Sequence, residues 1–258
     1  MKALAGAMLA ICLALSPACA KETPLAFFLA GHFAQAEAAG LAQNNAQGLA
    51  IAARAVLADD MMRDQPCLEC LKHAEDISRH AIAADPKLPE AHIYLAAAIG
   101  YEAHIIGDFA AQSRGFADEA KQQLDAALAS DPNDPWALAA LGSWHIEIVR
   151  NAGTTLANWL FGAKFATGQD YYAKAFAIAP DNLVLRYQYA LAISAYDLAS
   201  YRQDITDELA RVTAASPGSA YETFVQERAQ QLLDALHGGD LAEVQRLVRH
   251  DLGYPDSA

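Results

Sequence analysis

The sequence has 258 residues, of which 54% are hydrophobic, and a formal net charge of -13. That length supports a sizeable core as one long domain or two short ones. The acidic balance argues against nucleic acid or an anionic membrane as the partner and favours a soluble protein that resists self-association.

Residues 1–20, "MKALAGAMLAICLALSPACA", read as a secretory leader. Lys2 supplies a basic start, Ala3 to Leu15 an apolar run, Pro17 a helix breaker, and Ala18 and Ala20 an A-x-A cleavage site. The run is too short for a stable membrane anchor. Acylation at Cys19 is the competing reading, but it wants Leu three residues upstream, where Ser16 stands. The expected mature chain is a helical-repeat domain over 21–258, exported and soluble, with the periplasm as its compartment. No later segment has the apolar length of a membrane span.

After the leader, apolar residues recur at three and four rather than two, so the expectation is all-α. One amphipathic helix is expected over 24–38. Pairs follow over 44–60 and 67–84, 89–107 and 110–130, 135–150 and 168–179, and 183–199 and 203–215. The short stretch "TTLANWLFG" is expected as a helix inside the third pair. Helices over 219–236 and 240–250, the last capped by Asp240 after Gly238-Gly239, close the stack.

Four segments of this map end alike. Aligned on Pro86, Pro132, Pro180 and Pro217, they carry Ala81, Ala127, Ala175 and Val212 five residues earlier. Leu95, Leu141 and Tyr189 stand nine after the first three prolines; Ala96, Gly142 and Ala190 stand ten after. Each proline ends a helix and the next begins within a few residues. The small residues let neighbouring helices approach closely. The proline spacings are 46, 48 and 37 residues, and self-similarity in that range marks an α-solenoid of stacked helical hairpins.

Two candidate sites are visible in the residues themselves. The first is "LGSWHIEIVRNAGTTLANWLFG", where His145 shares an apolar face with Leu138, Leu141 and Ile148. That placement suits a buried, hydrogen-bonded histidine, and no Ser, Cys or acid has nucleophile–base spacing to it. Arg150 pairs with Glu147 at i,i+3, and Trp144 and Trp159 are expected to pack the inserted hairpin.

The second is "PCLECLKH". Cys67 and Cys70 are the only thiols left once the leader is removed. One turn apart at a helix start in an oxidising compartment, they suit a small structural disulfide. A redox pair, or a metal site of Cys67, Cys70 and His73 with His80, are the alternatives. Leu71 excludes haem attachment of the C-x-x-C-H type. There is no H-E-x-x-H, no G-x-S-x-G and no phosphate-binding glycine loop. The expectation is therefore a protein that is not an enzyme and uses no cofactor.

The proline-anchored pattern resembles the tetratricopeptide repeat, best in "ALASDPNDPWALAALG" and least in the last segment, where Gln226 and Glu227 replace Leu-Gly. The longer spacings imply lengthened helices or an inserted helix. The features "EAHIYLA", "DPNDPWALAALGSWH", "ANWLFG" and "YYAKAFAIAPDN", within roughly residues 86–190, resemble the regulator of microtubule dynamics family. That resemblance implies a helical-repeat fold. It brings no catalytic residue, and an exported chain would not meet microtubules.

The tetratricopeptide resemblance also implies a concave groove lined by the first helix of each pair. Carried over by position, the lining is Ile93, Ala97 and Tyr101, then Trp136, Ser143, Ile146 and Glu147, then Val184, Tyr187 and Leu191. Such a groove, if open, suits an extended peptide or an apolar small molecule; if the added helices fill it, these residues are core. The leading expectation is a scaffold binding a protein or peptide partner. The alternative is a periplasmic small-molecule-binding or transport-accessory protein.

Overall fold

The computed structural model describes residues 23–255; the expected leader and the Cys19 alternative lie outside them. The described residues form fourteen helices and no strand. They run α1 (Pro24–Leu29), α2 (Phe33–Gln43), α3 (Ala46–Met61), α4 (Leu68–Ala84), α5 (Pro89–Ile106), α6 (Asp108–Ser113) and α7 (Phe116–Ser130). Then come α8 (Pro135–Ala152), α9 (Thr154–Phe161), α10 (Phe165–Ile178), α11 (Leu183–Asp197), α12 (Arg202–Ala214), α13 (Ala220–Gly238) and α14 (Leu241–Asp251). No described helix is long and apolar enough to cross a membrane.

The helix starts follow local chemistry. Asp134 accepts the N–H groups of Trp136 and Ala137 ahead of Pro135, whose missing donor costs nothing at the first helical position. Asn45, Asn182, Ser219 and Asp240 cap α3, α11, α13 and α14 in the same way.

Helices α3, α5, α8, α11 and α13 contact one another in succession as an inner layer, with α4, α7, α10 and α12 packed outside them. This is a helical solenoid. The residues five before each proline form its seams: Ala81, Ala127, Ala175 and Val212 are all fully buried. Gly142 has a steric reason. A Cβ there would lie 2.7 Å from the Tyr172 ring and 2.9 Å from the Gly168 carbonyl oxygen, so only glycine lets α8 and α10 pack this closely.

Two expected elements differ. The helix expected over 24–38 is broken at Gly31, whose φ of +81° suits glycine. The break lets α1 turn back against α13, so close that a Gly31 Cβ would meet the Ala220 Cβ at 2.7 Å. The helix expected over 110–130 is also split, by α6. Both inserted helices, α6 and α9, begin after a glycine with positive φ, Gly107 at +84° and Gly153 at +75°. The long repeat spacings thus come from one short extra helix in each of two successive hairpins.

Candidate functional site

The inner layer is filled from one end by α1. Arg54 on α3 lies over the Phe28 ring at 4.1 Å and reaches Trp136 on α8 at 6.0 Å. Trp136 is half-buried here, and Ile93 packs beside it with Ala127 and Ala137 in one apolar cluster. Neither residue lines the cleft or the larger cavity described below. Ile146, Val184, Tyr187 and Leu191 are at most 5% exposed. For Val184 and Tyr187 the filled-core alternative holds: α13 and α14 pack against α11, and the Tyr187 hydroxyl donates to Asp251 on α14.

What remains is a cleft of about 180 Å³ between α5, α8 and α11. Ala96, Ala97, Gly100, Ala140, Ala192 and Ala195 give it small walls, and Ile146 and Leu191 contribute apolar surface from the core. Tyr101, Ser143 and Glu147 border it, and the Ser143 hydroxyl is engaged with that of Tyr172.

The polar end of the cleft was not visible in the sequence. His104 on α5 contacts Glu147 on α8 through Nε2 and the Leu252 carbonyl oxygen through Nδ1, the latter at 2.6 Å. Each nitrogen of the ring thus has an oxygen partner, one from a neighbouring helix and one from the backbone after α14. Burial raises the Glu147 carboxyl, but His104, Arg150 and the Tyr254 hydroxyl together outweigh it and hold the group below its ordinary value.

Leu252, Gly253 and Tyr254 follow α14 across this end. The Tyr254 ring stacks on His104 with centroids 4.2 Å apart and planes 15° apart. Its hydroxyl meets Arg150 and lies 3.4 Å from Glu147. Burial first, and then the Glu147 charge, push this phenol up to about 12. The expected Glu147–Arg150 pair exists at 3.7 Å, but its setting is this cluster rather than open surface. The signals available in sequence were a histidine one turn after Tyr101 and an isolated tyrosine near residue 254.

Beside the cleft lies a larger cavity of about 490 Å³, roofed by α6 and α9 and sharing His104, Trp144 and Glu147 with it. Its rim carries exposed apolar side chains. Phe109 is 90% exposed there, and Leu156 and Leu160 are also open to solvent. Trp159 on α9, outside this lining, is 77% exposed. Trp159 therefore does not pack the hairpin as expected, whereas Trp144 does, donating its indole N–H to the Ala117 carbonyl oxygen at 2.8 Å. His145 is buried, accepts the Lys164 N–H at 3.3 Å and stacks on Tyr171; burial lowers its pKa and favours the neutral ring.

Cys67 and Cys70 are joined in a disulfide with Cα atoms 5.2 Å apart at the start of α4. Asp60 accepts the Cys67 N–H at 2.8 Å. The metal alternative is not assembled: the sulfurs are bonded to each other, and His73 turns away to Glu37 at 2.8 Å.

The pattern described as regulator of microtubule dynamics protein 1-3 matches residues 36–237. The chain belongs to this family. Among curated proteins no single sequence matches it. In this member of the regulator of microtubule dynamics family, the matched span holds His104, Glu147 and Arg150. Helix α1, helix α14 and the segment Leu252–Tyr254 lie beyond it.

Proposed function

We propose that this protein is an exported, non-catalytic scaffold that holds a segment of a protein partner in the cleft between α5, α8 and α11. The observation that carries this reading is the cleft itself: small apolar walls with hydrogen-bonding groups gathered at one end, the layout that fixes an extended segment in one register. Membership in a helical-repeat family fits a scaffold, and the hairpins follow the tetratricopeptide pattern. The basic-then-apolar residues 1–20 with Ala18 and Ala20 support export to the periplasm.

The test is a photo-reactive residue at Ala97, with the chain expressed at its natural level and adducts identified by mass spectrometry. A defined partner protein should cross-link. Gly100→Trp, which places a large ring in open cleft space, should abolish the adduct with helical content retained, and Asp170→Trp on the outer surface should not. Cross-linking unaffected by Gly100→Trp would refute the cleft as the binding surface. A mature chain beginning elsewhere than Lys21 would refute the assigned cleavage point.

A second reading, an apolar small molecule, is favoured by the cavity beneath α6 and α9. At about 490 Å³ it falls in the range of small-molecule sites. Native mass spectrometry separates the two readings, since a bound compound would travel with the protein.

A further inference from the structure

We propose that His104, Glu147 and Arg150 form a receptor for a tyrosine side chain, occupied in cis by Tyr254, and that the partner's docking segment carries a tyrosine that displaces it. This rests on the cleft reading above and assigns the chemistry of its ligand.

Each part of Tyr254 is matched. The imidazole takes the ring face, at 4.2 Å between centroids. The guanidinium of Arg150 and the carboxylate of Glu147 take the hydroxyl. Phenylalanine would leave the charged pair without that contact, and the bulkier indole has no group at the same place. The backbone is read as well, because His104 Nδ1 bonds the carbonyl oxygen two residues before the tyrosine at 2.6 Å. Gly253 between them has φ +79° and passes so close to Tyr101 that a Cβ would lie 2.9 Å from its ring. The recognised unit is therefore carbonyl, glycine, tyrosine.

The occupant is displaceable by construction. It covers only one end of the cleft, and about 180 Å³ alongside it stays unfilled. Tethering gives Tyr254 an effective concentration of about millimolar or more. A partner segment with the same anchor also places an apolar side chain over Ala97, Ala140 and Ala192. That extra burial favours it by roughly 10- to 100-fold, enough to compete with a tethered occupant. The three receptor side chains lie within residues 36–237 of the family match, and the cis occupant lies outside it.

The test uses a fluorescent peptide of residues 249–258 and its Tyr-to-Phe counterpart. These are titrated by anisotropy into the full chain, into Tyr254→Ala, and into a chain ended after Asp251. Both vacated proteins should bind the tyrosine peptide at least about 10-fold more tightly than the full chain, and the phenylalanine peptide several-fold more weakly. Adding Arg150→Ala to Tyr254→Ala should remove the gain. Circular dichroism and a urea melt establish that each protein is folded, and the two vacated forms guard against one failing to fold. Folded variants that bind no better than the full chain would overturn the proposal, as would equal binding of both peptides. If the Ala97 adduct persists in that case, only the tyrosine assignment fails; if it is lost from the full chain with Gly100 intact, the cleft reading fails first.

Discussion

Replacing Glu102 by Gln should stabilise this protein at pH 8 and much less at pH 5. Glu102 on α5 is 1% exposed, and its Oε1 has no hydrogen-bond partner. Its neighbour across the α4–α5 seam is Glu75, which Arg79 already engages at 2.6 and 2.9 Å while also reaching Glu119 at 2.6 Å. Burial first, and then the hydrogen bond and charge of Glu75, push the Glu102 carboxyl up to about 7; Lys72 and Arg114 oppose the shift too weakly to cancel it.

Because the folded value lies above the unfolded one, the folded state binds more protons between the two. The stability this group permits is present below pH 4.5, the ordinary value, and is lost as pH rises through about 7. The full shift is worth about 3 kcal/mol, and solvent screening at its partly exposed partner Glu75 reduces that to about 2 kcal/mol. Glutamine keeps the shape, hydrogen-bonds Glu75 and never ionises. Urea melts of both proteins at the two pH values measure the effect. At pH 5 they should agree within about 1 kcal/mol, and at pH 8 the variant should lead by about 2 kcal/mol. Burial also raises Asp60 and Asp134, but both are shared by the two proteins and cancel in the difference. A stability difference that is the same at both pH values, or a variant weaker at pH 8, would refute the reasoning.

Gly142→Ala should destabilise by about 1–3 kcal/mol despite alanine's better helix propensity, because the new methyl meets a buried ring and a backbone carbonyl; a urea melt reads the loss directly. Trp136→Ala should cost about 1–3 kcal/mol in the same assay, less than a fully buried tryptophan, because the ring is half-buried. Trp136 is outside the cleft, so the affinity of the vacated Tyr254→Ala protein for the tyrosine peptide should stay within about twofold when this change is added.

The sequence by itself determined the class of fold and the seams between its hairpins. Those depend on short-range chemistry. Prolines end helices, a three-and-four apolar period sets their faces, and small residues such as Ala81, Ala127 and Gly142 mark where backbones approach. The extra length of two hairpins was equally legible, although its form as α6 and α9 depended on glycines whose positive φ only the structure displays.

The fate of the groove was decided by tertiary structure alone. Tyr101 and Glu147 border a cleft while Ile93 and Tyr187, from other positions on the same inner faces, are core. That difference depends on how far each hairpin rotates on the last and on what returns to cover it. Helix α1 covers one end because Gly31 turns it back, and Tyr254 covers another from 150 residues beyond His104. A local period carries no record of such distant returns. They are fixed by the summed packing of every helix between, so the residues that face each other across the cleft come together only when the whole solenoid is built.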